Sequence, residues 1–325
     1  MSVHTHVRRR KRHTLTMGMA LATLLSVATA AHPATASTGG GASADWPTAK
    51  VVCISADRLL SERLAKDLTD LIEAQAGRTS LALYDRTTDT ECSYDANGSY
   101  DSASIVKVIV LGTLLRAAQD ENRDLTETER KLAEKMITES DNDSTTTLWR
   151  QLGLPRINDF LRLAGMTNTV PDTEGYWGLT QINAADEIKL TRLLTSANPV
   201  LDEDSRTYAL DLMNRVIPAQ RWGTPAGAPN DATVHVKNGW LQRSAGGWRV
   251  HSLGVFTGRG HDYGMVVLTA DKANMSTSVG DIEDIAAKVH AHLGGSRPIP
   301  GYTHRTDPID LPTASDGSST GENAN

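Results

Sequence analysis

Residues 102–115, SASIVKVIVLGTLL, predict a helix that is apolar on nearly every side and yet carries a lysine in its first turn. Such a helix belongs in the interior of a domain. Ser104 stands three positions before Lys107, so the hydroxyl and the amine are expected to share a helix face. The apolar neighbours of Lys107 favour the uncharged amine, which can take a proton from a hydroxyl. The pair indicates a serine nucleophile, although Ser-x-x-Lys occurs about once by chance in a chain of this length and Ser104 could simply be an N-cap.

Two short motifs further along the chain add polar side chains. SDN at 140–142 follows the predicted helix ERKLAEKMITE, and KNG at 237–239 lies within a predicted strand. SDN has a simple alternative explanation, since Ser, Asp and Asn favour the start of the next helix. In KNG, the glycine allows another backbone to approach closely and the lysine supplies a cation for a substrate carboxylate. Each motif is weak alone, whereas their order and their placement on a helix, a loop and a strand are specific.

The rest of the chain predicts strands at both ends and helices between them. The amphipathic helix SERLAKDLTDLIEAQAG, with Gly77 as its stop, precedes two short strands, SLALY and ECSY. A mostly helical stretch covers 104–198 and contains a capping box formed by Thr126 and Glu129. Three strands return late, before the last helix, VGDIEDIAAKVHAHLGG. This order predicts a sheet completed by distant segments, with an all-helical lobe inserted.

Taken together, the three motifs resemble those of class A β-lactamases and the related penicillin-recognising D,D-peptidases. The resemblance covers about residues 60–293. It implies an α/β fold of the α+β type, with an antiparallel sheet flanked by helices and formed by both ends of the chain. The sheet part would span about 46–103 and 203–294, and the helical lobe about 104–202.

The resemblance also implies roles for individual side chains. Ser104 would be the acylated nucleophile, and Lys107 would accept or relay its proton. Ser140 would pass a proton to the leaving nitrogen. Asn142 would bind the substrate's side-chain amide and steady Lys107, while Lys237 would attract the substrate carboxylate.

Further roles fall on the late hairpin. The backbone N–H groups of Ser104 and Trp240 would form the oxyanion hole, and Gly239 would let the strand pass close to the serine. Arg249 is either a cationic helper or an ordinary strand arginine. Asn238 departs from the family pattern, because a Thr or Ser usually stands there and contacts the substrate carboxylate; the amide of Asn238 can still donate.

A larger departure lies in residues 165–183, GMTNTVPDTEGYWGLTQIN. Class A lactamases resemble one another there by a Glu with an Asn four residues later, which hold the hydrolytic water. Here the only glutamate is Glu174, and Gly178 stands four residues after it. Glu174 is a candidate water-activating base, with a solvated loop acid as the alternative.

The first 36 residues predict a secretory signal peptide. RRRKR at 8–12 is followed by MGMALATLLSVATAA and by small-residue cleavage patterns ending at Ala30 and Ala36. The apolar run is shorter than a membrane span, and no cysteine follows the cleavage sites to take a lipid. The sequence therefore predicts an exported protein with a flexible lead-in at 37–45, a folded body at 46–294 and a disordered tail at 295–325.

Charge and side-chain spacing limit the partners. The formal net charge is −6, and since residues 1–36 hold five basic and no acidic side chains, the remainder carries −11, which does not favour nucleic acid. The histidines show no metal-ligand spacing, so neither a metal nor another cofactor is expected.

Cys53 and Cys92 are expected to form a disulfide in an oxidising compartment, with two buried thiols as the alternative. No apolar repeat stands out, and we expect a monomer.

Three functions remain open at this point. The first is a serine hydrolase of the class A β-lactamase-like family that opens β-lactams. The second is a D,D-carboxypeptidase or penicillin-binding protein acting on D-Ala-D-Ala peptides, which the missing Glu-x-x-x-Asn pattern favours. The third is a non-catalytic module that binds cell-wall peptide or a β-lactam.

Overall fold

A computed structural model describes residues 50–244 and 246–294. The predicted signal peptide, lead-in and tail lie outside the described residues. The strands are β1 (Val52–Ile54), β2 (Arg78–Asp85), β3 (Thr90–Tyr94), β4 (Tyr100–Asp101), β5 (Gln181–Ile182), β6 (Thr233–Arg243), β7 (Gly247–Gly258) and β8 (His261–Lys272). The helices are α1 (Arg58–Glu73), α2 (Val106–Asp120), α3 (Glu127–Thr138), α4 (Asn142–Leu163), α5 (Ala184–Thr195), α6 (Glu203–Asn214) and α7 (Met275–Leu293).

Both ends of the described chain build one antiparallel sheet. Its strand order is β1-β3-β2-β8-β7-β6, so the early strands pair with the late ones through β2 and β8. Strand β6 is therefore an edge strand, and its outer side is open to other parts of the chain. This topology confirms the predicted fold, an antiparallel sheet completed by distant segments.

Helices α1 and α7 cover one face of the sheet. In α1, Leu60, Leu64, Leu68 and Ile72 recur every four residues, so one stripe of the helix is apolar and buried. Helix α1 ends at Glu73, before the predicted stop, and the chain turns at Gly77, where φ is +78°. The two helices and the sheet enclose one of two apolar cores.

The second core lies in the helical lobe and centres on α2. All but a few of its residues are buried, which explains why its sequence is apolar on nearly every side. Gly112 faces the ring of Phe160 in α4 and leaves no room for a side chain there. Thr126 and Glu129 form the predicted capping box at the start of α3.

Two further links join distant segments of the chain: a small second sheet and a disulfide. Strand β4 pairs with β5, which brings the end of the 165–183 loop beside the segment that leads to Ser104. Cys53 and Cys92 lie directly opposite each other in β1 and β3 and are joined by a disulfide, with 4.1 Å between their Cα atoms. Within the described residues, none of the helices has the length and apolarity that crossing a membrane requires.

Candidate active site

Ser104 lies in a 3-10 turn that leads directly into α2, and it is fully buried. Ala103, the residue before it, has a φ of +45°, in a region that residues other than glycine rarely adopt. Strain of this kind persists only where the surroundings fix the backbone. Here they do so through Ser102, whose N–H donates to Thr180 O at 2.9 Å and whose hydroxyl donates to Trp177 O at 3.3 Å.

Lys107, in the first turn of α2, is also fully buried, and its ammonium lies among three oxygens. Nζ donates to Ser140 O at 2.6 Å, to Ser140 Oγ at 3.0 Å and to Asn142 Oδ1 at 2.7 Å. The indole ring of Trp177 covers the same ammonium, with 4.9 Å between Nζ and the ring centroid. The structure therefore brings Lys107 together with the SDN tripeptide, as the resemblance implies.

Ser140 joins the lysine of α2 to the lysine of β6. Its hydroxyl oxygen accepts from Lys107 Nζ at 3.0 Å and from Lys237 Nζ at 2.9 Å. Ser140 lies in the turn between α3 and α4, with a φ of +60°. The next residue, Asp141, is the N-cap of α4 and accepts from Ser144 N at 2.8 Å. A hydroxyl has two lone pairs and one hydrogen. Because two ammonium groups use the lone pairs, the hydrogen of Ser140 is left to donate.

Strand β6 passes directly against the serine. A Cβ placed on Gly239 would lie 2.7 Å from Ser104 N and 2.9 Å from Ile105 N, closer than real Cβ atoms come. Only glycine permits this approach of edge strand and helix start. Lys237, two residues earlier, is fully buried and also donates to Asn238 O at 2.7 Å. KNG therefore fixes both the position of the strand and that of its cation.

Asn238 does not lie as the sequence predicted. Its side chain is buried, and Nδ2 donates to Gln220 O at 2.8 Å and to Trp222 O at 2.9 Å. Both amide hydrogens are used inside the protein, so the expected donation to a substrate carboxylate is wrong for this structure. The ring of Trp240 lies in the core that α1 and α7 cover, with its centroid 6.0 Å from that of Trp222.

Arg249 neighbours carboxylates. Its Nε lies 3.4 Å from Asp101 Oδ2 and its Nη1 lies 3.5 Å from Asp271 Oδ1. Arg243 adds a longer contact, 3.8 Å, to the same oxygen of Asp101. Since Asp101 comes three residues before Ser104, Arg249 supports the segment that carries the serine. A role as a cation offered to substrate, which the sequence left open, is not what this geometry favours.

His251 holds the same segment from the sheet side. Thr269 N donates to His251 Nδ1 at 3.2 Å, so the ring hydrogen is on Nε2, which lies 2.8 Å from Asp101 O. Burial lowers the pKa of His251 to about 4, although the bond to the Asp101 carbonyl opposes this shift. The ring is therefore neutral at ordinary pH and acts as a fixed support, in line with the structural role that its place in a strand suggests.

The 165–183 loop places an aromatic side chain, not a carboxylate, beside Lys107. Glu174 is exposed, and no hydrogen bond or ion pair joins its carboxylate to another residue in the described part of the chain. Trp177 is 4% exposed and its Nε1 donates to Thr146 Oγ1 at 3.1 Å. Sequence reasoning missed Trp177; the only available signal was that it is the single tryptophan in that loop.

The chain is similar in sequence to known proteins. The model of the β-lactamase enzyme family matches residues 63–129 and 128–293. The protein named "Putative lipoprotein LppW" from Mycobacterium tuberculosis and from Mycobacterium bovis is 26% identical over 220 residues, which are 66% of this chain and 69% of the relative.

Solved structures share the fold. The TLA-3 extended-spectrum β-lactamase superposes with a TM-score of 0.64 at 14% identity, over 71% of this chain and 98% of that one. A variant of the last common ancestor of Gram-negative bacteria β-lactamase class A gives a TM-score of 0.60 at 20% identity, over 70% and 97%. At this identity the likeness concerns the fold. With the family model covering most of the folded body, this chain belongs to the β-lactamase enzyme family.

Proposed function

We propose that this protein is a secreted serine hydrolase that β-lactams acylate at Ser104, with opening of the β-lactam amide. Ser104 Oγ would form a bond to the carbonyl carbon, and the carbon–nitrogen bond would break. Lys107 in its uncharged amine form, directly or through Ser140, would take the serine proton, and Ser140 would deliver a proton to the leaving nitrogen. The N–H groups of Ser104 and Trp240 would receive the developing oxyanion.

The observation that carries this proposal is the position of the Ser140 hydroxyl between two ammonium groups. Its oxygen accepts from Lys107 and from Lys237, which leaves its hydrogen to donate. A hydroxyl that accepts on one side and donates on the other can pass a proton along a chain. The two cations beside it would also attract a substrate carboxylate.

We further propose that acylation is fast and deacylation slow. Acylation needs Ser104, Lys107, Ser140 and the N–H groups of the oxyanion hole, whereas deacylation needs a water and a base. Beside Lys107 the loop presents the ring of Trp177, and Glu174 is exposed and makes no bond to Ser104 or Lys107 within the described residues. Indole offers no basic atom, because its nitrogen only donates.

The same observation favours a second candidate, a D,D-peptidase. An enzyme of that kind forms an acyl-enzyme from a peptide ending in D-Ala-D-Ala and does not depend on rapid hydrolysis of a β-lactam ester. A loop that places Trp177 beside Lys107, where a carboxylate would be needed for rapid hydrolysis, is compatible with a D,D-peptidase. The substrate decides between the two: a β-lactam in the first case, a cell-wall peptide in the second.

Export of the mature protein as a monomer without a lipid anchor belongs to the proposal. The curated relatives are named as a lipoprotein. In this chain the only cysteines are Cys53 and Cys92, and they are bonded to each other. Neither is therefore available to carry a lipid, which supports a soluble product of signal cleavage.

The test is acylation by a labelled penicillin, followed by intact mass and peptide mapping. We expect one label per molecule, on Ser104, a burst of one equivalent and a weak steady rate. Ser104→Ala should abolish labelling. Lys107→Ala should slow it by several orders of magnitude with little loss of non-covalent binding. Lys66→Ala serves as control, because Lys66 is exposed on α1 and pairs with Asp70.

Three results would change the assignment. Release of D-alanine from an acyl-D-Ala-D-Ala peptide, with no turnover of penicillin, would favour the peptidase. Saturable binding without any adduct would indicate a non-catalytic module. Fast steady hydrolysis that Glu174→Gln suppresses while the acyl-enzyme accumulates would establish Glu174 as the base and contradict slow deacylation.

A further inference from the structure

We propose that Trp177 protects the acyl-enzyme from water, and that this single side chain sets the lifetime of the ester on Ser104. The inference rests on the proposed acylation of Ser104. It adds the residue that controls how fast the resulting ester is hydrolysed. Trp177 is in this view a positioning residue, because it acts by occupying the space beside Lys107 and not by bonding to substrate.

The first step of the argument is that the indole covers Lys107 too closely for a water to lie between them. The ring centroid is 4.9 Å from Nζ. A water in that gap would need about 2.8 Å to the nitrogen and more than 3 Å to the ring, roughly 6 Å in all. The ring therefore lies in direct cation–π contact with the ammonium, an interaction that strengthens when both partners are buried. Lys107 is fully buried and Trp177 nearly so.

The second step is that the remaining directions around Lys107 are also taken. Its ammonium donates to Ser140 O, Ser140 Oγ and Asn142 Oδ1, all within 3.0 Å. An ammonium has three hydrogens. These acceptors and the aromatic face leave a water little access to Lys107 unless a neighbour moves.

The third step is that Trp177 is held at several points. Its Nε1 donates to Thr146 Oγ1 in α4, and its carbonyl accepts from Ser102 Oγ, two residues before the nucleophile. Thr180 O accepts from Ser102 N at 2.9 Å and fixes the end of the same turn. The indole is thus tied to the helical lobe, and the backbone that carries it is tied to the serine segment, so the ring cannot easily swing away.

Hydrolysis of the ester requires a water and a base beside its carbonyl carbon, and this arrangement keeps water from the base. A water oxygen must add to the ester carbonyl carbon while a base takes one water proton; the bond to Ser104 Oγ then breaks, and that oxygen takes up a proton. Once it has lost its extra proton, Lys107 is the nearest basic nitrogen to Ser104 in the sequence, and Trp177 covers it. Removing the ring should therefore open the route from water to base.

The experiment compares acylation and deacylation rates of Trp177→Leu with those of the wild type, using the same labelled penicillin and quenched-flow mass spectrometry. We expect deacylation to rise by about tenfold or more while acylation changes by less than about threefold. Trp177→Phe keeps a ring beside the ammonium and should retain slow deacylation. Trp248→Leu is the matched control, because it removes a buried tryptophan from the other core and should leave both rates unchanged.

Thr146→Val provides a second route should Trp177→Leu fold poorly. It frees the indole N–H without emptying the space, so deacylation should rise by a smaller factor. The inference is wrong if acyl-enzymes of Trp177→Leu and Thr146→Val form normally and decay no faster than that of the wild type. If the wild type takes no label on Ser104, the proposed function itself fails, and the inference fails with it. Normal labelling with unchanged decay in the variants refutes the inference alone, so the two failures are distinguishable.

Discussion

The hydroxyl of Ser140 and the ammonium of Lys237 lie 2.9 Å apart although 97 positions separate the two residues in the chain. Lys107 donates to the same oxygen, so two buried cations meet at one neutral group. Two ammonium groups that donate to the same oxygen repel each other, and an arriving anion would relieve the repulsion. This arrangement supports our proposal of a substrate that carries a carboxylate near the bond to be broken.

Replacing Ser140 with alanine should slow acylation. Without the hydroxyl, the proton route between Lys107 and the leaving nitrogen is broken, and the loss of a positioned proton donor typically costs about 10²–10⁴-fold. Stopped-flow acylation by a chromogenic β-lactam measures it. Ser278→Ala is the matched control, since Ser278 is a buried serine of α7 that donates to Asn274 O. Equal acylation rates in Ser140→Ala and Ser278→Ala would contradict the proton route.

Replacing Gly239 with alanine should also slow acylation, by about 10²-fold or more, because the new Cβ would displace either β6 or the start of α2. Gly280→Ala in α7 is the control: nothing lies within 4 Å of its Cβ position, and alanine in a helix is favoured by about 1 kcal/mol over glycine. Thermal melting should show Gly280→Ala unchanged or more stable. An acylation rate for Gly239→Ala equal to that of wild type would mean that the strand does not need this close approach.

The free energy of unfolding should depend on pH through Glu187. This side chain of α5 is fully buried, and neither carboxyl oxygen has a hydrogen-bond partner among the described residues. Burial, with a smaller contribution from the charge of Asp186, raises the pKa of Glu187 well above its usual range. Between the unfolded and folded pKa values the folded state keeps a proton that the unfolded state has lost, so this group's contribution to stability falls as pH rises.

Glu187→Gln removes that dependence while keeping the shape of the side chain. We expect its advantage over wild type to grow as pH rises from about 4.3, the pKa of an unperturbed glutamate, towards the folded pKa. Urea unfolding at several pH values measures it. Gly280→Ala, which removes no titratable group, should differ from wild type by a constant amount across the same range. A constant difference for Glu187→Gln as well would show that Glu187 is ionised in the folded protein.

The disulfide should stabilise the sheet edge. Cys53 and Cys92 enclose a loop with a sequence separation of 39, and a bridge of that size contributes about 3–4 kcal/mol by restricting the unfolded chain. Cys53→Ala with Cys92→Ala should lower the free energy of unfolding by this amount in denaturant titrations. Acylation of Ser104 should be unaffected below the transition, because β1 and β3 lie at the sheet edge opposite to β6. Equal stability of the double variant and the wild type would contradict the prediction.

The sequence was enough to predict the family and the layers of the fold. Helix α1 repeats apolar residues every three to four positions and α2 is apolar almost throughout, and both patterns reflect burial on one side or on all sides. The motifs can be recognised in the sequence because their residues are close together in the chain. Ser104 and Lys107 share a helix face, and Lys237 and Gly239 share a strand. Local geometry of this kind can be read from spacing.

Tertiary structure decided what each remaining side chain faces. Asn238 donates its amide hydrogens to carbonyls inside the protein, and Arg249 neighbours Asp101 and Asp271, contacts set by strand register and by segments distant in the chain. Trp177 contacts Lys107 because β5 pairs with β4 and because Ser102 bonds to the turn just before β5, which carries Trp177. No spacing in the sequence encodes that meeting, since a loop's position depends on the strands and helices to which it is hydrogen-bonded.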